Sequence, residues 1–421
     1  MSVSRAPVPI VVQQHADEAV ALRNTRSYLL ASPHVRLHQL RRLDDRLAAH
    51  LDGLAIAGEY GSRLAQAVLA NPGVGEAFAA TVRAIEDRDA AGLERLLALV
   101  EAQPDGQRGL ISAFGWVSAA SLRGISKALL ESSSTFRRQV GFATCAMHQV
   151  DPGAAATSAL NDADMALRAR ALRVAADRGR IDLRQACADA MADEDAGCAY
   201  EAARASVLLG DRRAAMTALA TTASQPGPWR ARSLALVLKL CAPADAMALL
   251  KPLSQDSANV RLLIRGVGIA GDPTLVPWLI QQMPDMKLTR LAGESFSLIT
   301  GLDLAALDLE HKAPDNIEAG PNDSPADEDV SADEDDGLPW PDPVKISDWW
   351  QAHGHRFAPG TRYFMGEPPS PAHCLAVLRT GFQRQRIAAA EYLSLLTPGT
   401  PLFNCAAPAW RQQRWLAAMG G

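Results

Sequence analysis

The sequence predicts an all-α solenoid, and three observations predict it. First, an arginine recurs with a fixed period: Arg137, Arg168, Arg230, Arg261 and Arg290 lie 31, 62, 31 and 29 residues apart, with Ala199 in the empty register. Second, about six residues before each register stands an acid or helix-capping residue: Glu131, Asp162, Asp193, Ser224, Asp256 and Asp285. About eleven residues after many of them comes a turn, as at Gly179, Gly210-Asp211, Gly271-Asp272 and Gly301. A turn, cap, arginine and turn at this period mark a two-helix repeat, which buries its apolar side only against its neighbours. Third, hydrophobic residues make up 48% of the chain and aromatics only 5%. A core of Ala, Leu and Val follows, and alanine both favours helix and lets helices approach closely.

Taken in order, residues 1–16 read as a flexible arm, in which the short, Pro-flanked Val8–Val12 is the one alternating β-branched stretch noted. An N-terminal helical cap region follows over 17–106. Within it Leu37, Leu40, Leu43, Leu47, Leu51 and Leu54 make one helical face, and Arg36, Arg41, Arg42, Asp45 and Arg46 make the other. Helices near 62–70, 74–86 and 88–102 complete it. The repeats of about 31 residues cover 107–308. In one of them Asn161-Asp162-Ala163-Asp164 caps a helix, Leu167, Ala171, Leu172 and Ala175 form its stripe, and Gly179 closes it. Asp182 then opens a partner helix through Leu183, Ala186 and Ala190. The unit 256–285 repeats the scheme, with Pro273 at a first helical position, where its missing N–H does no harm.

Residues 309–338 are rich in Asp, Glu, Pro and Ser. Such a segment cannot bury enough apolar surface to offset its ordering entropy, so an acidic disordered linker is expected. Five of the eight tryptophans follow it, which predicts a separate Trp-rich helical unit over 339–421. Its Arg386 precedes Thr397-Pro398-Gly399 at the array spacing, as a variant end repeat would.

The net charge of −5 hides an asymmetry, because residues 310–336 carry eleven acids against the single Lys312. The remainder is mildly basic. Six scattered cysteines within apolar stretches read as small core residues of a reducing compartment. The opening residues lack the long apolar core and small-residue cleavage site of a secretory signal, and no run approaches ~18 apolar residues. A soluble, cytoplasmic protein is expected.

Asp162–Leu167-Arg168 and Asp256–Val260-Arg261, each leading into an Ala- or Gly-punctuated helix that ends in a turn, resemble HEAT repeats over about half the chain. Further residues extend the likeness: Arg41-Arg42-Leu-x-x-Arg46-Leu-x-x-His50-Leu-Asp-Gly53-Leu near the start, then Trp349-Trp350, Gly360-Thr-Arg362-Tyr363-x-x-Gly366, Arg386-x-Ala388-Ala389-Ala390 and Arg411-Gln412-Gln413-x-Trp415-Leu. With these the chain resembles a proteobacterial family of HEAT-like proteins without an assigned activity, some encoded near type VI secretion clusters. The resemblance implies a setting among secretion effectors, spike components, adaptors and immunity proteins, and no mechanism.

No catalytic set emerges. Gly-x-Ser-x-Gly and a Gly-rich phosphate loop are missing. Cys145-x-x-His148, His353-Gly-His355 and His373-Cys374 do not supply the paired ligands that zinc requires. No enzyme activity, cofactor or metal is therefore expected. The ladder of Arg137, Arg168, Arg230, Arg261 and Arg290 with Asp162, Asp193, Asp256 and Asp285 reads as structural, each arginine bonding the acid of an adjacent cap between repeats. The alternative is a basic face for nucleic acid, for which the stretch has few interleaved aromatics. Arg41, Arg42 and Arg46 form either a solvated helix face or a site for an acidic partner, the 310–336 segment included. Trp349, Trp350, Arg362 and Tyr363 form either a small core or a partner anchor, since Trp, Tyr and Arg dominate interface hot spots. A non-catalytic scaffold for another protein is the expected function.

Overall fold

A computed structural model of the chain describes residues 6–67, 69, 72–314 and 333–420. Among the described residues there are 22 α-helices and no strand, only the isolated bridges Glu310–Pro341 and Phe364–Glu367. The chain divides into two units. The first holds Met1–Ala31, Val35–Ala186 and Pro401–Gly421; the second holds Ser32–His34 and Cys187–Thr400.

In the first unit, α1 (Pro9–Leu29) begins well inside the expected arm. Pro9 stands at its first position, where the fixed φ suits helix entry, and Val12, Ala16, Ala19 and Leu22 are buried at helical spacing. The β-branched run Val8–Val12 is thus the start of an amphipathic helix and not a tail. The leucine stripe of α2 (Leu37–Ile56) is buried as its spacing predicts. Next come α3 (Glu59–Ala67), α4 (Val74–Glu86), α5 (Ala90–Ala102) and α6 (Gln107–Trp116). The central α4 packs against α1, α2, α3, α5 and α6, and Phe78, Val82 and Ile85 are enclosed. Then follow α7 (Ile125–Leu130), α8 (Thr135–Met147), α9 (Ala154–Ala159) and α10 (Met165–Asp177). Long helices pack in sequence, α6 on α8 and α8 on α10, with α7 and α9 beside them. The division between units falls inside α11 (Arg184–Asp189).

The second unit continues the alternation with α12 (Ala196–Leu208), α13 (Ala214–Ser224), α14 (Arg230–Leu240), α15 (Pro243–Leu250), α16 (Val260–Ala270), α17 (Val276–Gln282) and α18 (Thr289–Thr300). Here α12 packs on α14, α14 on α16 and α16 on α18, while α13 and α17 sit against their long partners. Two helix N-caps fall two residues after ladder acids: Asp164, within the expected 161–164 cap, accepts from Leu167 N–H and Asp195, in place of Asp193, from Cys198 N–H, both at 2.8 Å. The unit ends with α19 (Pro343–His353), α20 (Pro371–Thr380) and α21 (Gln383–Leu396). Gly271 and Gly301 close α16 and α18 in the left-handed region, at φ 71° and 75°. A Cβ at Gly271 would meet the Tyr363 carbonyl at 2.2 Å, and one at Gly301 the Met365 carbonyl at 2.5 Å. Glycine is needed at both for conformation and for the close approach of residues 361–366.

A separate unit over 339–421 does not form. Trp349 and Trp350 of α19 pack edge-on to Phe296 of α18, at 6.1 and 6.4 Å, so residues 339–400 complete the second core. Residues 401–420, with α22 (Ala409–Ala418), belong to the first. There Trp410 meets Trp116 at 4.8 Å. Trp349, Trp350 and Trp410 thus pack against helices of the array, which composition alone could not reveal.

A buried ion pair holds α22 in place. Asp44 of α2 is fully buried and accepts Arg26 Nε at 2.6 Å and Nη2 at 3.3 Å. It also accepts the Ala409 N–H at 2.7 Å, at the start of α22, where a negative charge complements the helix dipole. Arg26 Nη2 in turn donates to the carbonyls of Ala406 and Ala407, each at 3.1 Å. Removing one member leaves the other charged and unpaired. Asp44→Ala is expected to cost about 3–5 kcal/mol, measured as a fall in the denaturant midpoint; a shift under ~1 kcal/mol would show that the pair is not structurally important.

Candidate functional site

The ladder acids turn first toward their own backbone. Asp162, Asp193, Asp256 and Asp285 each accept the N–H two residues on, at 3.0, 2.9, 2.9 and 2.8 Å. This Asx turn leads the chain into the next helix. The arginines differ in what they bond. Arg168 donates to the carbonyls of Asp162 and Ala163, at 2.9 and 3.1 Å, while the Asp162 carboxylate takes Arg138 of the preceding repeat at 2.7 Å. The bonds from the Asp164 N–H and Arg138 hold the Asp162 carboxyl below its usual range. Arg137 bonds Glu94 at 2.6 Å, not Glu131. Arg230 bonds Asn259 at 2.8 Å, across to the next repeat.

The last two registers differ. Arg261 Nη1 donates to the Lys287 carbonyl at 2.9 Å, two residues past Asp285. Its Nη2 donates to Asp335 Oδ1 at 2.8 Å, which raises the guanidinium's own pKa. Arg290 donates to Asp333 and, through Nη1, to the Asp335 carbonyl at 3.2 Å. Arg265 reaches Glu334 at 2.5 Å. Arg384 of α21 donates to the Glu334 carbonyl at 2.5 Å and forks onto both oxygens of Glu294, at 3.0 and 3.1 Å. Four guanidinium groups thus converge on the Asp333-Glu334-Asp335 turn. The arginines come from α16, α18 and α21, of which α16 and α18 pack together.

This turn lies within the segment expected to be a disordered linker. Residues 315–332 of that segment lie outside the described residues, whereas 333–338 are described and bound. Asp333 Oδ1 accepts the Asp335 N–H at 2.9 Å, the Asx turn of the ladder acids again. Asp335 is only 3% exposed. Trp340 lies under the Arg290 guanidinium, 4.7 Å from its ring centre. Beside the turn is a cavity of about 440 Å³ lined by Glu294, Ser297, Leu304, His311, Trp340 and Arg384, among others. Burial pushes the Glu294 carboxyl above its usual range, against the opposing pull of Arg384.

The candidate partner-binding residues separate. Arg41 bonds Asp45 at 2.6 Å and Gln413 at 2.8 Å and lies over Trp410, so it helps seat α22; Arg42 and Arg46 are exposed. Arg362 donates to the carbonyls of Lys239, Cys241 and Ala270, at the ends of α14 and α16. Tyr363 N–H bonds the Gly271 carbonyl at 2.8 Å, and the Tyr363 hydroxyl accepts from Ala358 N–H at 2.9 Å. Trp349 and Trp350 are half-buried on Phe296. The Trp349, Trp350, Arg362 and Tyr363 cluster is therefore part of the second core. Cys145 is buried and its thiol pushed up to about 11 by desolvation, while the His148 ring bonds the Phe114 carbonyl at 2.7 Å. Among the described residues no group of three or more His, Cys, Asp or Glu is placed to hold a metal ion, and no helix is long and apolar enough to cross a membrane.

Sequence reasoning missed Arg265, Arg384, Glu294 and the 333–335 turn. One signal was available: Asp333-x-Asp335 repeats Asp162-x-Asp164 and Asp193-x-Asp195. It was obscured by the acids around it.

No family model matches the chain, and no curated protein does. Among solved structures, the crystal structure of an engineered protein from the Northeast Structural Genomics Consortium aligns with 71% of this chain and 90% of its own. Its identity is 14% and its TM-score 0.31, too low to support an argument.

The turn's docking depends on pH with a defined sign. Burial opposes ionisation of Asp333, but the Asp335 N–H and Arg290 outweigh it and hold the carboxyl below its usual range. Arg265 does the same for Glu334. Both carboxyls are more acidic when docked, so docking is favoured above the free carboxylate range and lost as pH falls through the docked values. Hydrogen exchange over 333–340, corrected for intrinsic rates, is expected to show protection at pH 6 that weakens progressively as pH falls below the free carboxylate range of about 4. Equal protection at pH 3 would show that charge does not hold the turn.

Proposed function

We propose that the protein is a non-catalytic protein-binding scaffold built as a HEAT-like solenoid, an adaptor, accessory or immunity-type partner of a type VI secretion effector or spike component. The observation that supports binding of protein is the chemistry of the convergent arginines, which engage peptide carbonyls as well as carboxylates. The secretion setting rests on the resemblance of the residue patterns quoted above to the HEAT-like family. An array of this kind offers a long surface on which binding needs no catalytic group.

Affinity capture from native cells, with and without the neighbouring effector and spike genes, tests the proposal; an unchanged set of captured proteins would count against it. The ladder arginines separate this reading from nucleic-acid binding. Arg230→Ala and Arg261→Ala are each expected to cost roughly 1 kcal/mol, read as a lower melting temperature, with no DNA or RNA bound by the parent protein at low salt. Tight, salt-dependent nucleic-acid binding that these substitutions abolish at an unchanged melting temperature would reverse the assignment.

A further inference from the structure

We infer that Arg261, Arg265, Arg290 and Arg384 form a recognition site for an acidic peptide turn of Asp-x-Asp form, occupied in this chain by its own residues 333–335. The inference deepens the protein-binding reading and rests on it.

The arginines of the site are carried on helices outside the turn. Three of the arginines are carried on α16 and α18, which pack together, and the fourth is fixed on α21 by its fork onto Glu294. What they contact identifies the ligand class. Arg261, Arg265 and Arg290 take one carboxylate each, from Asp335, Glu334 and Asp333. Arg290 and Arg384 also donate to the main-chain carbonyls of Asp335 and Glu334. Phosphate backbones supply anionic oxygens but no peptide carbonyls alternating with carboxylates at this spacing. The planar guanidinium fork suits such paired acceptors where a lysine would not. Trp340, stacked under Arg290, adds an aromatic contact on the C-terminal side of the turn.

The array also shows where this mode of recognition comes from. Arg261 donates to the carbonyl two residues past Asp285, and Arg290 to the carbonyl two residues past Asp333. Both acids make the same Asx bond to the N–H two residues on. The 333–335 turn therefore stands where the helix-entry turn of a following repeat would contact Arg290. One of its ion pairs is solvent-accessible: Arg265 and Glu334 are 40% and 66% exposed, whereas the Asp333 and Asp335 side chains are 30% and 4% exposed. A tethered occupant of this kind competes through an effective concentration of about millimolar. It suits a site that opens only to a stronger or locally concentrated acidic partner.

The test uses the full chain and a fluorescein-labelled peptide of the sequence Asp333–Trp340, followed by anisotropy at low salt. The parent protein should bind it weakly, and the D333N/E334Q/D335N variant at least about tenfold more tightly, because the internal competitor is gone. The same peptide with Asn, Gln and Asn at its first three positions should not bind, and Arg265→Glu in the variant should abolish binding. Glu334→Gln alone changes an exposed side chain, preserves the fold and should strengthen peptide binding a few-fold even if the triple variant fails to fold. No gain in a folded triple variant, or no change with Glu334→Gln, overturns the peptide site. If affinity capture still returns partners in that case, the scaffold reading survives and only the site is wrong; peptide binding without any captured partner points the other way.

Discussion

Every α-helix ends in carbonyls that have no partner within the helix, and a protein assembled from many short helices has many of them to satisfy. Arginine does much of this here. Arg411 donates to the carbonyls of Gly115, Trp116 and Val117 at the end of α6. Arg362 serves the ends of α14 and α16 together. Arg212 joins the Val207 carbonyl of α12 to the Leu395 carbonyl of α21, and Arg386 takes the Leu378 carbonyl of α20. In each case a cation also meets the negative end of a helix dipole. All but six of the 42 basic residues are arginine, the type suited to this task. A guanidinium can divide its donors among several fixed acceptors, and an ammonium group cannot do so in a plane.

The same constraint determines what could be read from the sequence. The long helices of the array were legible because their stripes, caps and closing glycines are local. The partners of the arginines were not, because a guanidinium on a long stem reaches an adjacent repeat as readily as its own turn. Arg362 and Arg411 lie in regions without repeat periodicity, and their acceptors are 92 to 296 residues away. The helix at Pro9 was masked by a β-branched run that has two periodicities at once: Val8, Ile10 and Val12 alternate, while Val12, Ala16 and Ala19 follow a helix.

The acidic segment is the clearest case of composition and pattern disagreeing. Averaged over its length it has too little apolar surface to order itself. Its last residues nevertheless carry the Asx signature of the array, and basic side chains already in place supply what an apolar core does not. Composition predicts whether a segment can fold alone. It does not predict whether a pre-positioned surface will order part of it. The candidate site was thus half legible, in Arg261 and Arg290, and its acidic half was read as part of a disordered linker.

The order in which the chain threads its two units has a consequence for biosynthesis. Residues 187–400 all leave the ribosome before residues 401–420, yet the latter belong with α1, α2 and α6 in the first unit. Throughout that interval Asp44 lacks the N–H of Ala409, and the carbonyls of Gly115–Val117 lack Arg411. Domains ordinarily complete in the order they are synthesised; here the second unit can finish before the first. The nascent first unit must remain soluble with its Trp116 face uncovered while more than half of the chain is still being made, which makes it the stage at which a chaperone would be most needed.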